Sequence, residues 1–513
     1  MGNKTKKTGT FVFFLVILLL GAMAVVSVRI IQPRIEQSRL DEVTSVTALV
    51  TPETLADMDK YANLEYADFT GSTCYDELAD WESSHPNVTV KYSVDLGGTA
   101  VSNDVAELSL ADGAYDYAKL TETLGCFTRL EKISLPATSL SADELSALQS
   151  AVPEADVDFS AIIGGREVKR DDAEVDISGI SHEQLDEAGA FLRLLPKLET
   201  LVLTGEDGSS TLSVDDALAV KNDFPGVSVR YSFELFGKTL SSADDRIVYT
   251  SVDLGDDSLA EFERVLPLLE SLEYLKLDSC NIDYELLAEF RAAHADEFKT
   301  VWRVWFGYYN CLTDIKTVLA TGYYPEGEGY VLKYCNEVEY LDLGHNPQLK
   351  NVDFISYMPN LRVCILADSH AASLEPFANC KNLEWLELMN VASISDLSPL
   401  ASCTALKGLN IVLCTAVKDL SPLYGLENME RLYLGKLYLS ADQQKGIQEA
   451  LPDCWISFNT LGYGNVSMNY GIGWRLEKDG SRAEWYQNIC DIFRYDSYDT
   501  EDRYWTHDEG WEW

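Results

Sequence analysis

The sequence is short of positive charge, of histidine and of catalytic signatures. Against 83 Asp+Glu it holds 40 Lys+Arg, a formal net charge of −43 over 513 residues. A nucleic-acid backbone needs clustered cations, so this balance argues against DNA or RNA as the partner. It also argues against a chain laid along anionic lipid. The six histidines (His85, His182, His294, His345, His370 and His507) are all more than ten residues apart, which removes the short metalloprotease motifs. There is no G-x-S-x-G, no Walker-type glycine loop and no G-x-G-x-x-G. The 11 cysteines are odd in number and contain no C-x-x-C pair, so no spacing demands a disulfide framework or a zinc site. The acidic pairs Asp171-Asp172, Asp244-Asp245 and Asp256-Asp257 lack the regular oxygen donors that calcium needs and read as solvated loop charge. No catalytic, cofactor or metal site is expected, and the chain reads as a non-enzyme.

One long apolar run is present. Thr8 to Val28 carries no charge, and residues 11–28 read FVFFLVILLLGAMAVVSV. At about 1.5 Å per residue such a run spans a bilayer core of roughly 30 Å. Lys4, Lys6 and Lys7 precede it, and Arg29, Arg34 and Arg39 follow. The expectation is a single transmembrane helix, with residues 1–31 as cytoplasmic tail and anchor and 32–50 as a membrane-proximal stalk. The bulk would then lie outside the cell. Ala22-Met23-Ala24 also resembles a signal-peptidase site, so release after cleavage near Ala24 is the alternative.

Internal repeats dominate the rest. The pattern L-x-x-L-x-L, with apolar substitutes, occurs as VEYLDL at 338–343, LRVCIL at 361–366, LEWLEL at 383–388, LKGLNI at 406–411 and MERLYL at 429–434. The spacings are 23, 22, 23 and 23. The returns SDLSPL at 395–400 and KDLSPL at 418–423 nearly coincide. These segments resemble leucine-rich repeats, and the returns resemble the internalin-like variety of bacterial surface protein. In such a unit the leucines point inward, the x positions face solvent on the concave side, and stacking is needed to bury the apolar face. The position eight residues after the first Leu holds Cys280, Asn346, Ser369 and Cys414, where the family favours Asn or Cys. Cys364, Cys380 and Cys403 also fall on repeat positions and read as buried thiols. The resemblance implies an α/β leucine-rich-repeat solenoid with a parallel sheet, preceded by the transmembrane helix. The chain departs from the family in showing no LPxTG-like sorting signal.

Upstream the strand signal recurs more widely, as LEYADF at 64–69, LEKISL at 130–135, LETLVL at 198–203 and LEYLKL at 272–277. Helical segments at 75–86, 141–153 and 213–225 end at Pro86, Pro153 and Pro225. Alternating strands follow at 88–94, 157–163 and 227–233. Residues 51–335 therefore read as long degenerate repeats of about 70 residues, and 336–459 as short regular ones, in one continuous solenoid. The stretch 305–335 departs from the pattern and reads as an insertion or bend. Residues 460–513 are rich in aromatics and read as a cap over the end of the solenoid with a mobile tail.

Function is expected on the concave face. Large aromatics at solvent-facing positions are informative, because patterning would place polar residues there. Tyr340, Trp385 and Arg431 occupy third positions of the strands, and Asp342, Glu387 and Tyr433 occupy fifth positions. These six are the candidate ligand-binding residues, for a protein or glycan ligand. Other readings are an extracellular enzyme or enzyme accessory with a site in 305–335 or 460–513, or an envelope scaffold without a discrete ligand.

Overall fold

The computed structural model describes residues 37–322, 328–458 and 481–495. The apolar run 11–28 lies outside these residues, and among them no helix is long and apolar enough to cross a membrane. The chain forms two compact units, Met1–Ser242 and Ala243–Trp513.

The first unit repeats one plan three times. A short strand, the L-x-x-L-x-L strand and a third strand pair in parallel and in sequence order. The sets begin with Ser45–Thr47, Tyr66–Asp68 and Thr89–Lys91. Glu107–Ser109, Lys132–Leu135 and Asp156–Ile163 form the next. Glu174–Asp176, Thr200–Val202 and Ser228–Arg230 form the last. Parallel pairing requires a crossover. Between the second and third strands it is a helix: Tyr75–Ser84, Ala142–Ala151 or Val214–Asp223. Ser141 and Ser213 each close a capping box with the residue three positions on, satisfying the first free N–H groups. Leu145 and Leu148 of one helix, and Ala217 and Val220 of another, bury the inward stripe.

Each third strand does more than its alternating pattern indicates. Its first half pairs in parallel, and its continuation turns back as an antiparallel hairpin. The hairpins are Ser93–Asp95 with Ala100–Ser102, Ser160–Ile163 with Arg166–Lys169, and Ser232–Leu235 with Lys238–Ser241. Gly164-Gly165 and Phe236-Gly237 reverse the chain with positive φ at both central residues, as a tight hairpin turn needs. At two of the three roots a buried aromatic residue leaves the parallel sheet and is latched. The Tyr92 N–H donates to Asn103 Oδ1 at 3.0 Å, and the Asn103 N–H donates to the Tyr92 carbonyl at 3.0 Å. Tyr231 and Ser242 repeat the exchange at 3.2 and 2.9 Å.

The second unit opens on the same plan, with Arg246–Thr250, Tyr274–Asp278 and Lys299–Val301 in parallel. The hairpin Arg303–Phe306 with Tyr309–Leu312 follows, latched by Trp302 and Thr313. The start of the stretch read as an insertion is thus a fourth copy of a regular element. A seven-stranded parallel sheet then begins at Thr317–Leu319, ahead of the first short repeat recognised in the sequence. Its later strands are Tyr340–Asp342, Val363–Ile365, Trp385–Glu387, Gly408–Asn410, Arg431–Tyr433 and Trp455–Ser457, each paired in register with the next. Leu341, Cys364, Leu386, Leu409 and Leu432 stack inward and are fully buried. Short 3-10 turns return the chain, and Pro376, Pro399 and Pro422 sit in their first turns, where no N–H is needed. The Asn346 side chain donates to the carbonyls of Ala320 and Leu343 at 2.7 and 2.9 Å, and the Cys414 thiol donates to Leu388 at 3.0 Å. The Asn/Cys position therefore ties one repeat to the one before it.

After each strand one residue takes a left-handed conformation: His345, Asp368, Asn390, Leu413 and Lys436. For His345, Asp368, Asn390 and Leu413, this lets the N–H continue the ladder onto the next repeat, as Asn390 does to Val412 at 2.8 Å. His345, Asp368 and Asn390 are of types enriched in this region, whereas Leu413 and Lys436 are not. Lys436 is exposed there with φ of 64°. Lys436→Asn should therefore stabilise the unit by about 1 kcal/mol, read as a higher urea midpoint at unchanged m. An unchanged or lower midpoint would contradict this account of the turn.

Candidate recognition surface

The six residues singled out from the sequence come together on one sheet face. Register places Tyr340, Val363, Trp385, Gly408 and Arg431 side by side as one ladder. Asp342, Ile365, Glu387, Asn410 and Tyr433 form the neighbouring ladder. Their expected exposure is not found. Asp342 is 3% exposed, Trp385 6%, Glu387 1% and Tyr433 3%, while Tyr340 and Arg431 are half-buried.

A helix from the aromatic tail covers them. Glu484–Phe493 packs Tyr486, Ile489, Cys490 and Phe493 against Val363, Ile365, Trp385 and Tyr433 in one apolar cluster. These residues recur at helical spacing, so one face is apolar and needs an apolar partner. The described part of the tail therefore lies across the strand face, which corrects the expectation of a cap over the end of the solenoid. Residues 460–480 and 496–513 lie outside the described residues.

Two interactions seat this helix. The Trp485 ring stacks on Trp385, with centroids 4.0 Å apart and planes at 28°. Trp385 can lie flat only because its neighbour on the next strand is Gly408: a Cβ there would sit 1.9 Å from Cε3 of the indole. The Tyr495 hydroxyl donates to Asp342 Oδ2. Burial, then the Asp342 carboxylate beside it, pushes the Tyr495 hydroxyl well above the usual tyrosine range, so it stays protonated as donor.

Asp342 and Asn410 also have a local task. Asp342 Oδ1 accepts the Gly344 N–H at 2.8 Å, and Asn410 Oδ1 accepts the Val412 N–H at 3.1 Å. Asp68 and Asp176 do the same for Thr70 and Ser178 in the first unit. An acidic or amide residue at the fifth position thus closes the turn that ends its strand. Asp342, expected from the sequence as a ligand contact, thus has a structural task in its own turn.

Beside the helix a cleft of about 250 Å³ remains open, lined by Tyr340, Arg362, Trp385, Lys407, Arg431 and Trp485 among others. Its rim holds a pattern that lies outside the apolar positions of L-x-x-L-x-L. The residue before each third position reads Lys316, Glu339, Arg362, Glu384, Lys407 and Glu430, alternating in sign from strand to strand. Lys316 pairs with Glu339 at 3.3 Å, Arg362 with Glu339 at 3.8 Å and with Glu384 at 2.7 Å, and Lys407 with Glu384 at 2.8 Å. Burial alone would raise the Glu384 carboxyl, but Lys407 and Arg362 bonded to it hold it below the usual range. Arg362 also donates to the Tyr340 hydroxyl at 2.5 Å and lies over that ring. The result is an ordered polar rim beside a wall of stacked indoles. Among the described residues no group of three His, Cys, Asp or Glu side chains could hold a metal ion.

The seating of the helix can be tested at its floor. Gly408→Ala should displace Trp385, cost about 1–3 kcal/mol and reduce the near-UV signal of the tryptophan pair. Gly425→Ala, where a Cβ meets open space, should stay within about 0.5 kcal/mol. Equal behaviour of the two variants would refute the role given to Gly408.

No family model matches the chain, and no curated protein matches it. Solved structures do. An internalin from Listeria monocytogenes shares 15% identity over 82% of this chain and 81% of its own, with a TM-score of 0.23. A leucine-rich-repeat protein of Leptospira interrogans shares 15% identity over 82% and 97%, with a TM-score of 0.26. The functional domain of InlJ from Listeria monocytogenes, which includes a cysteine ladder, shares 12% identity over 83% and 64%, with a TM-score of 0.21. Likeness at this level is no guide to ligand or partner. The short strand period, the in-register parallel ladders, the inter-repeat bonds of Asn346 and Cys414 and the 3-10 returns give the chain the fold of a leucine-rich-repeat solenoid.

Proposed function

We propose that this chain is a membrane-anchored extracellular recognition protein that binds a protein or glycan ligand at the cleft beside the helix Glu484–Phe493. The observation that carries this reading is the cleft itself. It joins an aromatic wall, Trp385 and Trp485, to a rim of fixed charges of both signs. Aromatic and arginine side chains around a desolvated pocket are the groups that dominate binding energies. The alternating rim offers donors and acceptors in a set order, which suits hydroxyl-bearing sugars and mixed-charge protein surfaces. Asp342, Glu387 and Tyr433 lie beneath the helix and support the site from behind, while Tyr340, Arg431 and the rim meet the ligand. The anchor rests on the apolar run at 11–28, and release near Ala24 would leave the same cleft on a secreted protein. The acidic balance keeps nucleic acid out of the partner list.

The full chain, held in detergent micelles, would be applied to glycan and surface-protein arrays. A ligand captured this way should lose about tenfold or more in affinity with Arg431→Ala or Tyr340→Ala. Asp419→Ala, in an exposed return, should leave binding unchanged. Failure to capture any ligand, or a ligand indifferent to both cleft changes, would refute the proposal.

A further inference from the structure

Several of the buried cysteines have settled partners in the backbone. Cys414 donates to Leu388 at 3.0 Å, Cys403 to Phe377 at 3.3 Å and Cys280 to Asp278 at 3.5 Å. These thiols serve the ladder and have no reason to leave it. Cys311 and Cys335 differ. Their sulfurs face each other at 3.7 Å, both side chains are fully buried, and 24 positions of sequence separate them.

The elements that carry them are held in place independently of the thiols. Cys311 lies on the return strand Tyr309–Leu312 of the fourth hairpin, opposite Val304. Cys335 directly follows the 3-10 turn Glu328–Tyr334. Between the two elements, the Trp302 ring packs on Tyr334 with centroids 5.6 Å apart, and Tyr284 packs on Tyr334 at 5.8 Å. Arg291 lies over Trp302 and donates to the Tyr334 carbonyl at 2.9 Å. The two sulfurs are thus brought face to face by a rigid aromatic and guanidinium cluster. A sulfur–sulfur bond is about 2.05 Å long, so small side-chain rotations close the gap. Two thiols alone do not make a zinc site, which takes four ligands.

We infer that Cys311 and Cys335 form a disulfide when the folding chain meets a small-molecule or protein disulfide, stapling the fourth hairpin to the turn that leads into the short repeats. The exchange balances with glutathione disulfide as oxidant. Both S–H bonds break, one S–S bond forms between Cys311 and Cys335, and the glutathione S–S bond is reduced to two glutathione thiols that take up the protons. The facing Cys335 thiol, and then burial, push the Cys311 thiol well above the usual range, so the thiolate is scarce in the folded state. The bond therefore forms during folding, before the cluster closes over both sulfurs.

The test uses the full chain, refolded in detergent with either dithiothreitol or a glutathione disulfide buffer. Each sample is then denatured, alkylated with iodoacetamide and digested without reduction. The oxidised sample should yield a linked peptide pair containing residues 311 and 335, absent from the reduced sample. Its Tm should be higher by about 5–10 °C, as expected for closing a loop of this length. Cys311→Ser and Cys335→Ser should each abolish both the link and the shift. Should a variant fail to fold, the peptide map of the unaltered chain still decides. Full alkylation of both cysteines after oxidative refolding, or a bridge from either to another cysteine, overturns the inference. A 311–335 bridge with no rise in Tm overturns its role as a staple.

Discussion

Every repeat in the second unit's long sheet must stack on the next in strict register, and most of the structure follows from that. One strand with its return buries too little apolar surface to stand alone. Stacking solves this, and it also forces equivalent residues of successive repeats into lines. Leu341, Cys364, Leu386, Leu409 and Leu432 form the inner line. His345, Asp368, Asn390, Leu413 and Lys436 form the line of left-handed turns. Lys316, Glu339, Arg362, Glu384, Lys407 and Glu430 form a line of alternating charge. Like charges at one such position would repel along the whole ladder, whereas alternation lets each residue bridge its neighbours.

The same register created the need for the helix Glu484–Phe493. Tyr340, Val363, Trp385, Ile365 and Tyr433 on one open face would leave a broad apolar surface in water. Burying a side chain of this size is worth about 1.5–3 kcal/mol. The helix supplies Tyr486, Ile489, Cys490 and Phe493 and removes most of that face from solvent. It leaves the third-position edge and its charged rim accessible, so recognition shifts from the middle of the sheet face to the cleft at its side. Gly408 matters here out of proportion to its size, because the absence of a Cβ sets the plane of Trp385 and hence the seat of Trp485.

The sequence was legible where one physical rule operated alone. The short repeats, the helices that end ahead of Pro153 and Pro225, and the role of Asn346 followed from period, proline placement and backbone satisfaction. It was less legible where two rules share a pattern. The run from Ser228 through Leu235 alternates throughout, yet its first half pairs in parallel and its second half in an antiparallel hairpin. Period two is common to both. What separates them is the Phe236-Gly237 turn and the Tyr231–Ser242 latch, which join residues eleven positions apart.

The sequence by itself determined the repeat fold, the inward and outward residues of the short repeats and the acidic character of the chain. These are set by local spacing and composition, which stacking only propagates. Tertiary structure alone decided which outward residues still meet water. Asp342, Glu387 and Tyr433 look like surface residues in the pattern, and they are buried because a helix more than fifty positions further on carries a matching apolar face. It likewise brought Cys311 and Cys335 within 3.7 Å. Contacts of that range depend on where the chain returns in space, and no local period encodes that.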